Sequence, residues 1–263
     1  MTSNTPSISI IIPTKDRTDL LKECLASLEN YMRYDLNHYV AIGATNRQFA
    51  RSDLEYEVIV ITTGDVPDDV DVWAHRPGAT FAQAVNVGAK AARGDFIWLL
   101  NDDVFVTSNP WEGKSLRNDA IIGARLLYPS GLVQHAGVGF DLGSAPYNLW
   151  RLAPREHPEV VQPRRYPAVT FACALIPRHI WEELGGLDEN YINCWEDIDF
   201  CLRAGEAGYT VWYDPSITAI HLESQTAGRK DNEAVSWQHW RETWVKSGRI
   251  HKALGVWPFE LAS

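Results

Sequence analysis

Four cysteines and two methionines are all the sulfur in 263 residues. Cys24, Cys173, Cys194 and Cys201 make no C-x-x-C pair and lack the density of a disulfide scaffold, so they read as buried free thiols of a reducing compartment. Basic charge is scarce as well: 24 Lys and Arg stand against 34 Asp and Glu, a formal net charge of −10. Binding to nucleic acid needs a basic footprint that this balance does not supply. Long apolar runs are missing too. The opening MTSNTPSISIIIP has no basic leader, and the FIWLL run at 96–100 is strand-sized, far short of the ~20 residues of a membrane helix. The expectation is a soluble cytoplasmic protein, with at most peripheral association at the inner face of the cell membrane. No heptad or Gly-X-Y period appears, and 45% hydrophobic residues are enough for a real core.

What is present alternates between two periods. Residues 7–13 (SISIIIP) form an isoleucine-rich run ended by proline, as a strand buried on both faces would. After a polar turn at 14–17, residues 19–28 place Leu20, Leu21, Cys24, Leu25 and Leu28 at helical spacing. EVIVI at 57–61 is a second buried strand; the stretch between, 29–55, is too long for a plain connection. Residues 80–92 read as a helix, with Gly94 as its left-handed C-terminal residue. FIWLL then runs straight into Asn101-Asp102-Asp103. Strand, helix, strand, helix, strand argues an α/β domain with a mostly parallel sheet, in which ligands bind beyond the carboxyl ends of the strands.

The second half reads differently. Pro129-Ser130-Gly131 between apolar runs signals a hairpin, and 144–167 is a proline- and charge-rich surface excursion. A strand at 170–176 leads into a helix opened by Pro177 and closed by Gly185. A helix at 196–207 carries an Asp199–Arg203 pair, and two strands follow, at 210–213 and 217–222.

Three groups stand out chemically. Asn101-Asp102-Asp103 sets two adjacent carboxylates at a strand end, either as a turn and helix cap or as ligands of a hard cation bridging to phosphate. Trp195-Glu196-Asp197-Ile198-Asp199 sets three acids at a helix start. They either complement the helix dipole or, with the indole beside them, form an acidic sugar platform. His221 ends an apolar strand, where a lone histidine is more often structural than a ligand.

Together the segments SIIIPTKDR, AVNVGAKAARGDFIWLLNDDV and GGLDENYINCWEDIDFCLRAGEAGYTVWYDPSITAIHLES resemble the family-2 glycosyltransferases of GT-A fold. The resemblance is strongest to bacterial rhamnosyltransferase-like members that build polysaccharides. It spans about residues 7–224, and its most specific part is 185–221. It implies a Rossmann-like, mostly parallel central sheet with helices on both faces and an acceptor-side half with a small antiparallel element. It also implies a GT-A domain over 1–224, with a nucleotide-sugar half at 1–123 and an acceptor half at 124–224, and a C-terminal helical extension at 225–263.

By that resemblance Asn101-Asp102-Asp103 is the D-x-D element: Asp103 binds Mn²⁺ or Mg²⁺, and Asn101 and Asp102 face the donor. Asp197 becomes the catalytic base, Glu196 helps to orient the acceptor, and His221 joins the metal shell. Pro13, Thr14, Arg17 and Asn86 go to the donor side; Trp195 and Asp188 go to the acceptor side. The family's V-D-N-G-S-like turn is here Ile61-Thr62-Thr63-Gly64-Asp65. Thr62 therefore stands where an Asp belongs, and Asp65 is the acid that a shifted loop would offer.

The implied activity is inverting, metal-dependent transfer from a nucleoside diphosphate sugar to a hydroxyl of a glycan or lipid-linked saccharide. The alternative is a non-catalytic carbohydrate-binding or scaffolding protein on the same fold. A nucleotidyltransferase is disfavoured, because SIIIPTKDR lacks the glycine-rich loop. Arg229 and Lys230 would follow the His221 strand, as phosphate-closing groups or as solvated charge. Trp237, Trp240 and Trp244 form a helical stripe, either packed on the body or offered to an acceptor or partner. His135 is read as structural.

Overall fold

The computed structural model describes residues 7–32, 39–41, 47–50, 55–65, 73–107, 116–223 and 233–255. In chain order the first half gives β1 (Ser7–Thr14), α1 (Thr18–Met32), β2 (Tyr39–Ala41), β3 (Arg47–Ala50), β4 (Glu55–Thr62), β5 (Ala74–His75), α2 (Phe81–Ala91) and β6 (Phe96–Leu100). The second gives β7 (Val104–Val106), β8 (Ala120–Leu127), β9 (Val133–His135), β10 (Val138–Phe140), β11 (Pro146–Asn148), β12 (Arg164–Arg165) and β13 (Cys173–Pro177). It continues with α3 (Arg178–Leu184), α4 (Glu196–Glu206) and β14 (Thr210–His221). The chain closes with α5 (Glu233–Trp240), a π-helical turn (Arg241–Lys246) and α6 (Arg249–Gly255).

One mixed sheet runs β12-β14-β8-β13-β6-β1-β4-β3-β2, with β5 on β4, β7 on β14 and β9 on β8. Its longest ladders, β1 with β4 and β8 with β14, are parallel. Because the central strands carry side chains into both faces, they show no polar alternation: Phe96 to Leu100 are all buried. One face packs α1 through Leu21, Cys24 and Leu28. The other packs α2, α3 and α4 through Val85, Trp181 and Phe200. The small antiparallel element is the β10–β11 pair.

Strand direction brings the site together. β13 runs antiparallel to both β6 and β8, and β14 runs parallel to β8, so β6 and β14 finish at the same edge. β7 then doubles back on β14 and pairs Val104 with His221. Residues 118 apart in sequence, Asp103 and His221, become neighbours through this reversal.

Several local expectations need correction. The two strands at 210–213 and 217–222 are one, β14, interrupted by a register shift between Asp214 and Thr218 where Pro215, Ser216 and Ile217 loop out. The 29–55 stretch contributes β3 and, at the edge of the sheet, β2. Within 144–167, Val160 is fully buried and its carbonyl accepts the Tyr213 hydroxyl at 2.7 Å, so this part of the excursion is built into the core.

Gly94 does not serve as a left-handed cap. Its N–H donates to Ser9 Oγ at 2.9 Å, and a Cβ there would lie 2.7 Å from Ser9 N. The glycine is needed for close backbone approach, next to a buried network in which Glu57 accepts from Ser9 Oγ, Arg93 N and the Arg93 guanidinium. Gly94→Ala is therefore expected to destabilise the fold by about 1–3 kcal/mol, read as a lowered urea midpoint with an unchanged slope. An unchanged midpoint would contradict the close-approach account.

Candidate active site

The C-terminal ends of β1, β4 and β6 make one wall. After β1 the chain turns through Asp16, which holds a left-handed φ of 53°. Its Oδ1 accepts the Asp65 N–H at 2.7 Å, and Thr63 N–H donates to Thr14 O at 2.9 Å, so the β1 and β4 turns are locked together. Gly64 makes that contact possible, since a Cβ would sit 1.9 Å from Asp16 Oδ1. Pro13 and Arg17 are partly exposed beside this wall, and Asp65 is exposed. Thr62 is fully buried and its hydroxyl donates to Asp65 O at 2.9 Å. It shapes the turn and presents no group to a ligand.

Next to that wall Thr14 Oγ1 donates to Asp102 Oδ2 at 2.6 Å. Burial pushes the Asp102 carboxyl up to about 6. The Thr14 bond pulls it back, Asp103 adds repulsion, and Arg17 and the Lys15 backbone add attraction. Asn101 Oδ1 is buried with no hydrogen-bond partner among the described residues, an acceptor left over at the strand end.

Asp103 and His221 are both buried, with Asp103 Oδ1 3.1 Å from His221 Nε2. Leu222 N–H donates to Asp103 O at 3.1 Å, which fixes the β7–β14 junction. Gln134, on β9, grips His221 at two points: its Oε1 lies 2.6 Å from Nδ1 and its Nε2 donates to the His221 carbonyl at 3.2 Å. Gln134 fits the family's pattern in the sequence but carries no legible chemical role there, because that role comes from a contact 87 residues away in the chain.

The acid-bearing loop lies against α2 and α5. Trp195 precedes α4 in a left-handed conformation, φ 66°. Asp197 Oδ2 accepts Phe171 N–H at 3.1 Å and Oδ1 accepts Ile198 N–H at 2.9 Å, so two backbone donors fix this partly exposed carboxylate. Glu196 is buried beside it. Asp199 is engaged differently: its Oδ2 bonds Arg203 Nε at 2.7 Å and its Oδ1 accepts Trp244 Nε1–H at 2.8 Å.

Asn86 and Asp188 are drawn into the scaffold of this loop. Asn86 Oδ1 accepts Leu187 N–H, and its Nδ2 donates to Leu187 O and Glu189 Oε1, each at 2.9 Å. That amide is engaged by the 187–189 turn, not by the strand ends where a donor would lie. Asp188 Oδ1 accepts from Asn190 N and Nδ2, and its Oδ2 lies 2.7 Å from His239 Nε2. Burial alone would raise its carboxyl, but the bonds from Asn190 and His239 hold it below the usual range.

Helix α5 completes the support. Ile192 N–H donates to Ser236 Oγ at 2.8 Å, and Trp195 meets Trp237 edge to face, with centroids 5.4 Å apart. Trp240 and Trp244 are fully buried, so most of the aromatic stripe packs on the body. Arg229 and Lys230 lie outside the described residues.

His135, one residue from Gln134, is fully buried and structural. Its Nε2 accepts N–H groups of Gly137 and Thr170, so Nδ1 carries the proton and donates to Asn148 Oδ1 at 2.8 Å. Burial holds it down to about 4, against the Asn148 bond and with the nearby His221 acting in the same direction. With the folded value below the free value of about 6.5, the unfolded chain takes up the proton first as pH falls. The contribution of His135 is complete above pH 6.5 and declines toward pH 4. Between pH 7.5 and 5.0 the protein is expected to lose about 2 kcal/mol more stability than the His135→Gln variant, measured by urea unfolding. Equal losses would contradict a neutral buried imidazole.

Three thiols are buried as expected, and burial raises Cys24 and Cys201 and pushes Cys173 to about 12; Cys194 is half-buried. No helix among the described residues is long and apolar enough to cross a membrane.

Residues 9–117 match the family described as Glycosyl transferase family 2. The chain is 32% identical over 255 residues to the O-antigen biosynthesis protein RfbC of Myxococcus xanthus, covering 90% of this chain and 19% of that protein. It is 31% identical over 96 residues to the N-acetylglucosaminyl-diphospho-decaprenol L-rhamnosyltransferase of Mycobacterium tuberculosis, covering 36% of this chain and 31% of that protein. The chain thus spans less than a third of the length of these curated relatives.

Among solved structures, GalNAc-T7 with UDP, GalNAc and Mn²⁺ superposes with a TM-score of 0.61 at 15% identity, over 83% of this chain and 44% of that one. The mannosyltransferase PcManGT of Pyrobaculum calidifontis, with GDP-Man and Mn²⁺, gives 0.60 at 14% identity, over 94% and 65%. The sheet order and these matches agree: residues 9–117 match the family-2 glycosyltransferases, and the chain has a GT-A fold.

Proposed function

We propose that the chain is an inverting, metal-dependent glycosyltransferase that moves a sugar from a nucleoside diphosphate donor to a hydroxyl of a glycan or lipid-linked saccharide. The observation that carries this reading is the meeting of Asp103 and His221 at the edge where β1, β4 and β6 end. A divalent first-row cation bonds imidazole nitrogen and carboxylate oxygen at about 2.0–2.2 Å, so two ligands at a right angle lie about 3 Å apart. The 3.1 Å between Asp103 Oδ1 and His221 Nε2 fits that spacing. Among the described residues no group of three or more His, Cys, Asp or Glu could hold a metal. A pair of protein ligands suits Mn²⁺ or Mg²⁺ bound together with substrate phosphates. The names of the relatives and the Mn²⁺ complexes of the two solved structures support the same reading.

When bound, the cation supplies charge stabilisation to the departing diphosphate. The remaining roles fall to the chain. The turns at Pro13–Arg17 and Thr62–Asp65 form the nucleotide wall, with Asp102 and Asn101 facing the donor. Asp197 accepts the proton of the acceptor hydroxyl as that oxygen attacks the anomeric carbon from the side opposite the diphosphate. Its two backbone bonds fix the direction of the carboxylate for that role. Trp195 offers an apolar face to the acceptor ring, and Glu196 borders it. Residues 1–123 act as the donor half and 124–224 as the acceptor half, with α5 bracing the acceptor loop.

The test is release of nucleoside diphosphate from UDP-, GDP-, CDP- and dTDP-sugars with Mn²⁺ and added oligosaccharides, with the anomeric configuration of the product read by NMR. Turnover of one donor with inversion is expected. Donor binding with no turnover of any donor would favour a carbohydrate-binding role, and a retained configuration would exclude single displacement.

A further inference from the structure

The two-point grip on His221 determines more than the position of the ring. The His221 carbonyl can only accept, so the Gln134 group that faces it at 3.2 Å must be the amide NH₂. Oε1 is thereby turned toward Nδ1 at 2.6 Å. An amide oxygen also only accepts, so Nδ1 must carry a proton. In a neutral imidazole the other nitrogen then holds the lone pair. That nitrogen is Nε2, which faces Asp103 Oδ1 at 3.1 Å. Two acceptors held face to face repel one another unless a positive charge lies between them. The opposite tautomer would relieve Nε2 by donating to Asp103, but it would set Nδ1 against Oε1 as two acceptors in a buried site. Gln134 is 2% exposed, so water does not rescue that arrangement.

We infer that Gln134 is a positioning residue that fixes His221 with its proton on Nδ1, so that Nε2 is the electron-pair donor toward the cation shared with Asp103. This rests on the metal reading above. Ligand histidines generally gain orientation and basicity from a partner on the far nitrogen, and loss of such a partner weakens metal affinity about 10–100-fold. A side-chain amide here does the work more often given to a carboxylate, and its second bond, to the His221 backbone, resists rotation of the ring.

The test uses the full chain and three proteins: wild type, Gln134→Leu and Gln134→Glu. Long-range ¹⁵N–¹H spectra at pH 8.5, without metal, report the tautomer of His221, and Mn²⁺ is titrated by EPR, alone and with UDP, GDP, CDP or dTDP. In wild type the proton is expected on Nδ1. Gln134→Leu should shift the ring toward the Nε2–H form and weaken Mn²⁺ about 10–100-fold. Gln134→Glu keeps an acceptor for Nδ1–H, so it should keep the tautomer and Mn²⁺ affinity within about threefold. If the Leu variant does not fold, the wild-type spectrum and the Glu variant decide. An Nε2–H tautomer in wild type overturns the inference, as does unchanged Mn²⁺ affinity in a folded Gln134→Leu. A wild type that shows Nδ1–H but binds no Mn²⁺, alone or with any of these nucleotides, contradicts the metal reading itself, because the tautomer is read without metal.

Discussion

Asp197→Asn is expected to lower kcat for sugar transfer by about 10²–10⁴-fold, the usual contribution of a general base, while the Kd for the donor stays within about threefold of wild type. The asymmetry follows from position. Asp197 sits in the first turn of α4, tied to Phe171 and Ile198, and not on the strand ends proposed to cradle the donor. An amide can still accept one of those backbone N–H bonds, but its NH₂ then faces the other donor. A lowered stability of about 1–3 kcal/mol is therefore also expected, and turnover must be measured well below the melting range. Single-turnover rates with saturating donor separate the two effects. A rate within tenfold of wild type would remove Asp197 as the base.

Asp199→Ala, two residues on, should do the reverse: lower stability by about 3–5 kcal/mol, as expected when one partner of a buried ion pair is removed. Asp199 is 1% exposed and holds Arg203, whose guanidinium also donates to Leu184 O and Gly186 O. Its other oxygen takes the Trp244 indole N–H. The substitution thus loosens α3, α4 and the C-terminal π-helical turn together. Asp199→Asn keeps an acceptor for Trp244 and should lose less. Urea unfolding of the three proteins checks this, and a loss below about 1 kcal/mol for Asp199→Ala would contradict the structural role.

These neighbours show where the sequence is legible. The acidic cluster after Trp195 is visible as a cluster, and the Asp199–Arg203 pair follows from helical spacing alone. The division of labour is not visible, because Asp199 is claimed by Trp244 and Asp197 by Phe171, contacts that chain order does not reveal. Strand ends were readable where a buried apolar run meets polar residues, as at Leu100 and Asn101. The meeting of Asp103 with His221 needed the antiparallel β13 to reverse the sheet, and no local pattern encodes that reversal.

Small residues were the least legible. Gly94 looked like a cap by position and is a close-approach glycine by packing, and Asn86 looked ligand-facing while its amide holds the 187–189 turn. The tryptophan stripe split by burial, with Trp240 and Trp244 inside and Trp237 left beside Trp195.

The most direct measurement of the central claim is thermal unfolding of wild type and Asp103→Ala with UDP-, GDP-, CDP- and dTDP-sugars, each with and without Mn²⁺. Ligand at about 100 times its Kd stabilises a folded protein by about 2.7 kcal/mol, a plainly visible rise in Tm. A rise with one nucleotide sugar, dependent on Mn²⁺ and lost in Asp103→Ala, is predicted. No rise with any donor, or a rise indifferent to both Mn²⁺ and Asp103, would contradict a metal-assisted donor site at the ends of β6 and β14.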